Sequence, residues 1–124
     1  MEALGRHVLL ELRDCNVDKL DDLPFLRKTM LHAAEETGAT IIDDIFHQFS
    51  PYGVTGVVAI AESHLCIHTW PEHAYAAVDI FTCGAAFNPT EAAHLIIEAL
   101  ESKDPDLSEV ERGVLNAPSA VSGG

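Results

Sequence analysis

Three short β-type segments follow one another between residues 54 and 83, and their spacing constrains the fold more than any other feature. The segments 54–61, 64–70 and 76–83 are rich in apolar and β-branched residues, and only a few residues separate each from the next. Parallel neighbours need a crossover of about a dozen residues or more, whereas antiparallel neighbours can be joined by a tight turn. The spacing therefore predicts consecutive antiparallel hairpins.

The flanking sequence adds two helices and further strands. Apolar residues recur at helical spacing over 23–34 and 92–100, and the second run follows Asn88-Pro89-Thr90-Glu91, a typical helix start. The remaining β-compatible segments are 7–12, 39–49 and, as a short edge strand, 107–112. This order predicts an α+β two-layer sandwich, in which a largely antiparallel sheet carries two helices on one face. The other face is a candidate partner surface.

Composition limits the domain count and the partners. The 124 residues, 48% of them apolar, predict one domain over 1–113 and a disordered tail over 114–124, which is small and polar. With 20 acidic and 7 basic residues, the chain has a formal charge of −13. It lacks the clustered Lys and Arg that nucleic acids and anionic membranes require, so a cationic partner fits better.

The chain also lacks the signals of membrane insertion and export. No apolar run approaches the ~20 residues of a membrane span, and the N-terminal segment has no secretory pattern. Three cysteines, Cys15, Cys66 and Cys83, do not make a disulfide framework. We therefore expect a cytoplasmic protein in which any special cysteine is a reactive thiol.

Residues 62–72 concentrate polar chemistry on an apolar hairpin, with two imidazoles, a thiol, two hydroxyls and two carboxylates. Each buried polar group without a partner costs about 1–3 kcal/mol, which favours a functional site over a structural segment. A metal site is one reading, because His64, Cys66 and His68 share a strand face. However, the two histidines would lie about 13 Å apart in an extended strand, too far to share one ion.

Nucleophilic chemistry at Ser63 is the other reading. The Gly-x-Ser-x-Gly elbow of hydrolases is missing, so a catalytic triad has little support. Ser63 can instead attack the preceding carbonyl of Glu62 in a strained turn, an acyl shift from nitrogen to oxygen that needs a base and oxyanion donors. Elimination from the ester leaves a dehydroalanine, which hydrolyses to a pyruvoyl group.

A family resemblance decides between these readings. The chain resembles the bacterial and archaeal S-adenosylmethionine decarboxylase proenzymes from about Leu4 to Gly113. The blocks that carry the resemblance are Gly5-Arg6-His7, Gly38-Ala39-Thr40-Ile41, Phe46-His47, Pro51-Tyr52-Gly53-Val54, Gly56-Val57-Val58, Glu62-Ser63-His64-Leu65, Ile67-His68-Thr69-Trp70-Pro71-Glu72 and Phe81-Thr82-Cys83-Gly84.

The resemblance implies a self-cleaving enzyme. It implies cleavage between Glu62 and Ser63 into fragments 1–62 and 63–124, and Ser63 becomes a pyruvoyl group that forms a Schiff base with the substrate. It assigns His68 as proton acceptor in processing and Cys83 as proton donor in catalysis. Neither a metal nor pyridoxal phosphate is required.

One processing position departs from the family pattern. Thr55 stands where relatives commonly carry a serine that supports processing. Threonine keeps the hydroxyl and adds a methyl that restricts its rotamer, so we expect cleavage to proceed, though more slowly.

For the substrate, the resemblance implies S-adenosylmethionine, decarboxylated to the aminopropyl donor of spermidine biosynthesis by a homodimer of cleaved protomers. Phe49 or Trp70 can stack on adenine and Glu72 can accept from ribose hydroxyls, although core packing and turn closure are the commoner roles. Two alternatives stay open: the same chemistry acting on ornithine or arginine, and an unprocessed metal-binding module using His64, Cys66 and His68.

Strand periodicity raises one difficulty for the site. Simple alternation places Ser63 and His68 on opposite faces of their strand. Their cooperation within one chain therefore requires a bend or bulge near Ser63.

Overall fold

Six antiparallel strands form one sheet in the computed structural model of this chain, which describes residues 2–83 and 87–115. The strands are β1 (Glu2–Arg13), β2 (Ile41–Gln48), β3 (Val54–Ile60), β4 (Ser63–Trp70), β5 (Tyr75–Thr82) and β6 (Asp104–Leu115). Their order across the sheet is β2-β3-β4-β5-β1-β6. Strands β2 to β5 are thus adjacent in chain order, which confirms the predicted antiparallel hairpins.

The helices are α1 (Val17–Leu20), α2 (Leu23–Glu36) and α3 (Pro89–Leu100), and a 3-10 turn follows β4 at Pro71–His73. The side chain of Asp22 accepts from the backbone N–H of Phe25, and Asn88 likewise caps α3 through Glu91. Both long helices match their predicted positions, and the two-layer α+β architecture is confirmed. The single-turn α1 was not predicted.

The core lies between the sheet and the two long helices. Alternate residues of the central strands are fully buried there, among them Leu65, Ile67, Val78 and Ile80, and they pack with Met30 and Ile96 of the helices. The predicted alternation of β4 and β5 is confirmed, because each strand buries one face and leaves the other half-buried.

The second face of the sheet carries no helix among the described residues. The half-buried His64, Cys66 and His68 lie on it, as predicted. Large apolar side chains are also open to solvent there: Ile45 of β2 is 70% exposed and Val110 of β6 is 45% exposed. This face therefore remains a candidate partner surface.

Strand β6 is longer than the predicted edge strand. It runs from Asp104 to Leu115, so Val114 and Leu115, expected in the disordered tail, pair with β1 instead. All residues of β6 are exposed. Because neither face of the strand is buried, its sequence lacks the alternation of apolar and polar residues that predicts a half-buried strand. Backbone pairing and ion pairs such as Arg6–Glu109, 2.6 Å, hold it. Residues 116–124 of the predicted tail lie outside the described residues.

Gly56 of β3 offers a test of sheet packing. A Cβ atom at this position would lie 2.0 Å from the ring of Phe46 on β2. We expect Gly56→Ala to lower the free energy of unfolding by about 1–3 kcal/mol, because the ring must move. Urea denaturation in a Ser63→Ala background, which we expect to stay uncleaved, measures this on a single chain. Phe46→Leu in the Gly56→Ala protein should cost less stability than Phe46→Leu alone; equal costs would contradict the contact.

Candidate active site

A strained turn joins β3 to β4. Ile60 pairs with Ser63, so Ala61 and Glu62 form a two-residue hairpin loop. Such loops favour positive φ at their central residues, yet both of these residues keep negative φ, and Ser63 has a φ of 151° instead. Non-glycine residues rarely adopt this conformation, so backbone strain is concentrated at Ser63.

Cys83, at the end of β5, contacts both sides of the peptide bond between Glu62 and Ser63. The carbonyl oxygen of Glu62 accepts from the backbone N–H of Cys83 at 3.0 Å and from its Sγ at 3.2 Å. The same Sγ lies 3.8 Å from Ser63 Oγ. Two donors thus polarise a carbonyl beside the Ser63 hydroxyl, the arrangement that an acyl shift requires.

A second polar cluster lies at the far end of the same strands. Thr55 of β3 pairs with His68 of β4, and Thr55 Oγ1 lies 3.1 Å from His68 Nδ1. A cavity of about 310 Å³ opens beside them. Its lining is Phe49, Tyr52, Gly53, Thr55, His68, Thr69, Trp70 and Glu72. The structure therefore brings together all three predicted substrate-binding residues, and it adds Tyr52, which the sequence offered only as part of a family block.

The two clusters do not meet within one chain. Strand β4 pairs with β3 and β5 in continuous register from Ser63 onwards, without a bulge. Five residues of strand place Ser63 and His68 about 17 Å apart along β4. The bend required for their direct cooperation is thus not found, because ladder pairing on both sides keeps β4 regular.

The other two cysteines are less exposed than Cys83: Cys15 is buried and Cys66 is half-buried. Burial raises the pKa of the Cys66 thiol, and the nearby Asp79 raises it further. Burial also raises the pKa of Cys15. All three cysteines are free, and Cys83 is the exposed one.

The metal-module alternative finds no support. His64, Cys66 and His68 do share a strand face, but their side chains do not converge. Among the described residues, no group of three or more histidine, cysteine or acidic side chains is placed to hold a metal ion.

A larger groove lies away from these residues. It has a volume of about 940 Å³ and lies between α2 and α3, where Phe25, Leu31 and Leu95 contribute apolar lining. None of the predicted site residues borders it. Cavity size alone therefore does not identify the candidate site. The polar side chains at the two ends of the sheet identify it.

Membrane insertion through a helix is likewise without support in the described part of the chain. No helix there is long and apolar enough to cross a bilayer.

Comparison with known proteins agrees with the motifs. The family model described as S-adenosylmethionine decarboxylase matches residues 6–113. An S-adenosylmethionine decarboxylase proenzyme of Thermodesulfovibrio yellowstonii is 52% identical over 116 residues, covering 94% of this chain and 86% of the relative. One from Moorella thermoacetica is 50% identical over 121 residues, covering 98% and 97%.

A solved structure extends the likeness to the fold. The crystal structure of the adenosylmethionine decarboxylase from Aquifex aeolicus superposes with a TM-score of 0.88 at 39% identity, covering 96% of this chain and 98% of that one. The family model, the relatives that share 50–52% of their residues with this chain and the solved structure together show that the chain belongs to the S-adenosylmethionine decarboxylase family.

Proposed function

We propose that this protein cleaves itself between Glu62 and Ser63 and then decarboxylates S-adenosylmethionine, yielding the aminopropyl donor for spermidine synthesis. The observation that carries the proposal is the Glu62 carbonyl held by two donors of Cys83 next to the strained Ser63. Both relatives described above are named S-adenosylmethionine decarboxylase proenzymes. Their names support S-adenosylmethionine as the substrate and an inactive precursor as the form in which the chain is made. The relatives named above give no support to ornithine or arginine as the substrate. Release of CO₂ from each of the three substrates tests the choice, and activity on ornithine or arginine alone would contradict it.

The cleavage follows from the chain's own atoms. Ser63 Oγ attacks the carbonyl carbon of Glu62, the C–N bond breaks, and an ester with a free amine on Ser63 results. Loss of the Ser63 α-proton then breaks the bond between Cβ and Oγ and releases Glu62 as a carboxylate. The remaining dehydroalanine takes up one water, loses ammonia and becomes a pyruvoyl group at the head of fragment 63–124.

Residues at this corner fit such a group. A pyruvoyl group supplies an electron sink for the carbon that loses CO₂. Cys83 Sγ, 3.8 Å from Ser63 Oγ, is placed to donate a proton to the carbon left by decarboxylation. Its backbone N–H and thiol serve as oxyanion donors during cleavage, so one residue contributes to both stages.

A homodimer resolves the separation between Ser63 and His68. The uncovered sheet face exposes apolar side chains such as Ile45 and Val110, as a partner surface would. A two-fold axis running across the strands, between two facing sheets, places the Ser63 end of one copy over the His68 end of the other. Each site then takes Ser63 and Cys83 from one protomer and Thr55 and His68 from its partner.

In such a dimer His68 accepts a proton in processing. When its Nδ1–H donates to Thr55 Oγ1, the lone pair of Nε2 stays free to act as a base.

The cavity at the His68 end fits a nucleoside. Phe49 and Trp70 offer aromatic faces for adenine, and the Glu72 carboxylate offers acceptors for ribose hydroxyls. Its 310 Å³ is at the lower end for a ligand of this size, which agrees with a wall supplied by the partner. The net charge of −13 favours a cationic substrate.

The proposed location is the cytoplasm. Three free thiols, including the exposed Cys83 that the chemistry requires, favour a reducing compartment.

Removing the Thr55 hydroxyl should slow cleavage. We expect Thr55→Val, nearly the same shape without the hydroxyl, to cleave about tenfold more slowly, the rate equivalent of losing one hydrogen bond that orients His68. Thr55→Ser is the matched control and should cleave at least as fast as the wild type. A gel time course after cell-free synthesis measures both. Equal rates for the valine and serine variants would contradict the role of this contact.

A further inference from the structure

We propose that the side chain of Glu62 is a positioning residue for self-cleavage, because it fastens the strained turn to the segment before β2. The inference rests on the proposed cleavage at Ser63 and assigns to Glu62 a role beyond supplying the scissile carbonyl. Glu62 Oε1 accepts a hydrogen bond from the backbone N–H of Thr40 at 3.2 Å.

A second hydrogen bond joins the same two segments. The backbone N–H of Ala61 donates to the carbonyl oxygen of Thr40 at 2.8 Å. Thr40 directly precedes β2, whose first residue, Ile41, pairs with Ile60 at the end of β3. The turn residues Ala61 and Glu62 are therefore both tied to the β2 side of the sheet.

The opposite side of the turn is tied to β5. Cys83 donates to the Glu62 carbonyl through its backbone N–H and its thiol. Glu62 is thus held from two directions, by its carboxylate towards β2 and by its carbonyl towards β5. These contacts fix the orientation of the carbonyl that Ser63 Oγ must approach.

The turn needs such restraint because its backbone is strained. Ser63, with a φ of 151°, relaxes if the peptide unit between Glu62 and Ser63 can rotate. Rotation would turn the carbonyl away from the Cys83 donors and from the attacking hydroxyl. Since acyl transfer depends on a near-attack geometry, a contact that opposes rotation accelerates cleavage without joining the chemistry.

The Glu62 carboxylate acts here as an acceptor and not as a base. Its partner Thr40 lies on the β2 side, whereas the Cys83 thiol near Ser63 Oγ lies on the β5 side. A glutamine oxygen can accept the same hydrogen bond without a charge. The two functions are therefore separable by a single conservative substitution.

The test compares five variants in a cleavage time course after cell-free synthesis of the full chain. Glu62→Ala should cleave about fivefold to tenfold more slowly, the rate equivalent of one net hydrogen bond, whereas Glu62→Gln should stay within about twofold of wild type. Thr40→Pro removes the donating N–H and should slow cleavage similarly, with no further loss when combined with Glu62→Ala. Thr40→Ala, which keeps the N–H, is its matched control.

Each outcome decides the inference. Wild-type cleavage by Glu62→Ala would overturn it and leave the proposed function intact. A Glu62→Gln variant as slow as Glu62→Ala would also overturn it, by showing that the charge is what matters. A wild-type chain that stays whole would overturn the proposed function itself. Slow cleavage by Glu62→Ala together with normal cleavage by Glu62→Gln supports the positioning role, even if Thr40→Pro fails to fold.

Discussion

We expect Ser63→Ala to leave the chain whole and without decarboxylase activity. In the proposed mechanism Ser63 Oγ attacks the Glu62 carbonyl, so without this atom neither peptide cleavage nor formation of the pyruvoyl group can begin. Because cleavage and pyruvoyl formation both depend on attack by this one atom, the expected loss is complete rather than graded. Denaturing gels and CO₂ release from S-adenosylmethionine measure the two effects separately.

Ser108→Ala, on the edge strand β6, is the matched control and should cleave and decarboxylate like the wild type. Two fragments from the Ser63→Ala chain would show that another nucleophile cuts this bond. An uncleaved Ser63→Ala chain with full activity would show that the pyruvoyl group is not needed. Either result would contradict the proposed chemistry.

Two inactive chains should restore cleavage in each other. Ser63→Ala lacks the proposed nucleophile and His68→Ala lacks the proposed proton acceptor. The two residues lie five positions apart in β4. In a mixed dimer one site combines the intact Ser63 and Cys83 of the His68→Ala chain with the intact His68 of its partner. With random pairing, half the dimers are mixed and each has one competent site of two, so about a quarter of all sites should be cleaved.

The matched control replaces the Ser63→Ala chain with a Ser63→Ala/His68→Ala double variant. Mixed dimers then hold no intact His68, so no cleavage should return. Differently tagged chains, co-expressed and separated by denaturing electrophoresis, report which chain was cut, and only the His68→Ala chain should be. Failure of the first pair to rescue, or full cleavage by His68→Ala alone, would contradict a site shared between protomers.

Most of the fold was predictable because it depends on local burial patterns. Strands β4 and β5 alternate between buried and half-buried residues, and the long helices begin at capping residues that the sequence shows plainly. Strand β6 was underestimated, since it is exposed on both faces and its register comes from pairing with β1. The single turn of α1 is too short to produce a helical pattern.

The sequence singled out the residues of the candidate site but not their geometry. Periodicity predicted that Ser63 and His68 lie on opposite faces of β4 unless the strand bends. The distance between them is set by the pairing of β4 with β3 and β5, which the sequence does not show. The contribution of Thr40 comes from its backbone N–H, which leaves no trace in residue type. The strain at Ser63 depends on the φ values of the two loop residues before it.

The mass of the purified protein under denaturing conditions tests the central claim most directly. We expect two fragments, 1–62 and 63–124, with the second lacking a free N-terminal amine and lighter by one ammonia than a fragment that begins with serine. A single mass for all 124 residues, or a second fragment that begins with an intact Ser63, would contradict it.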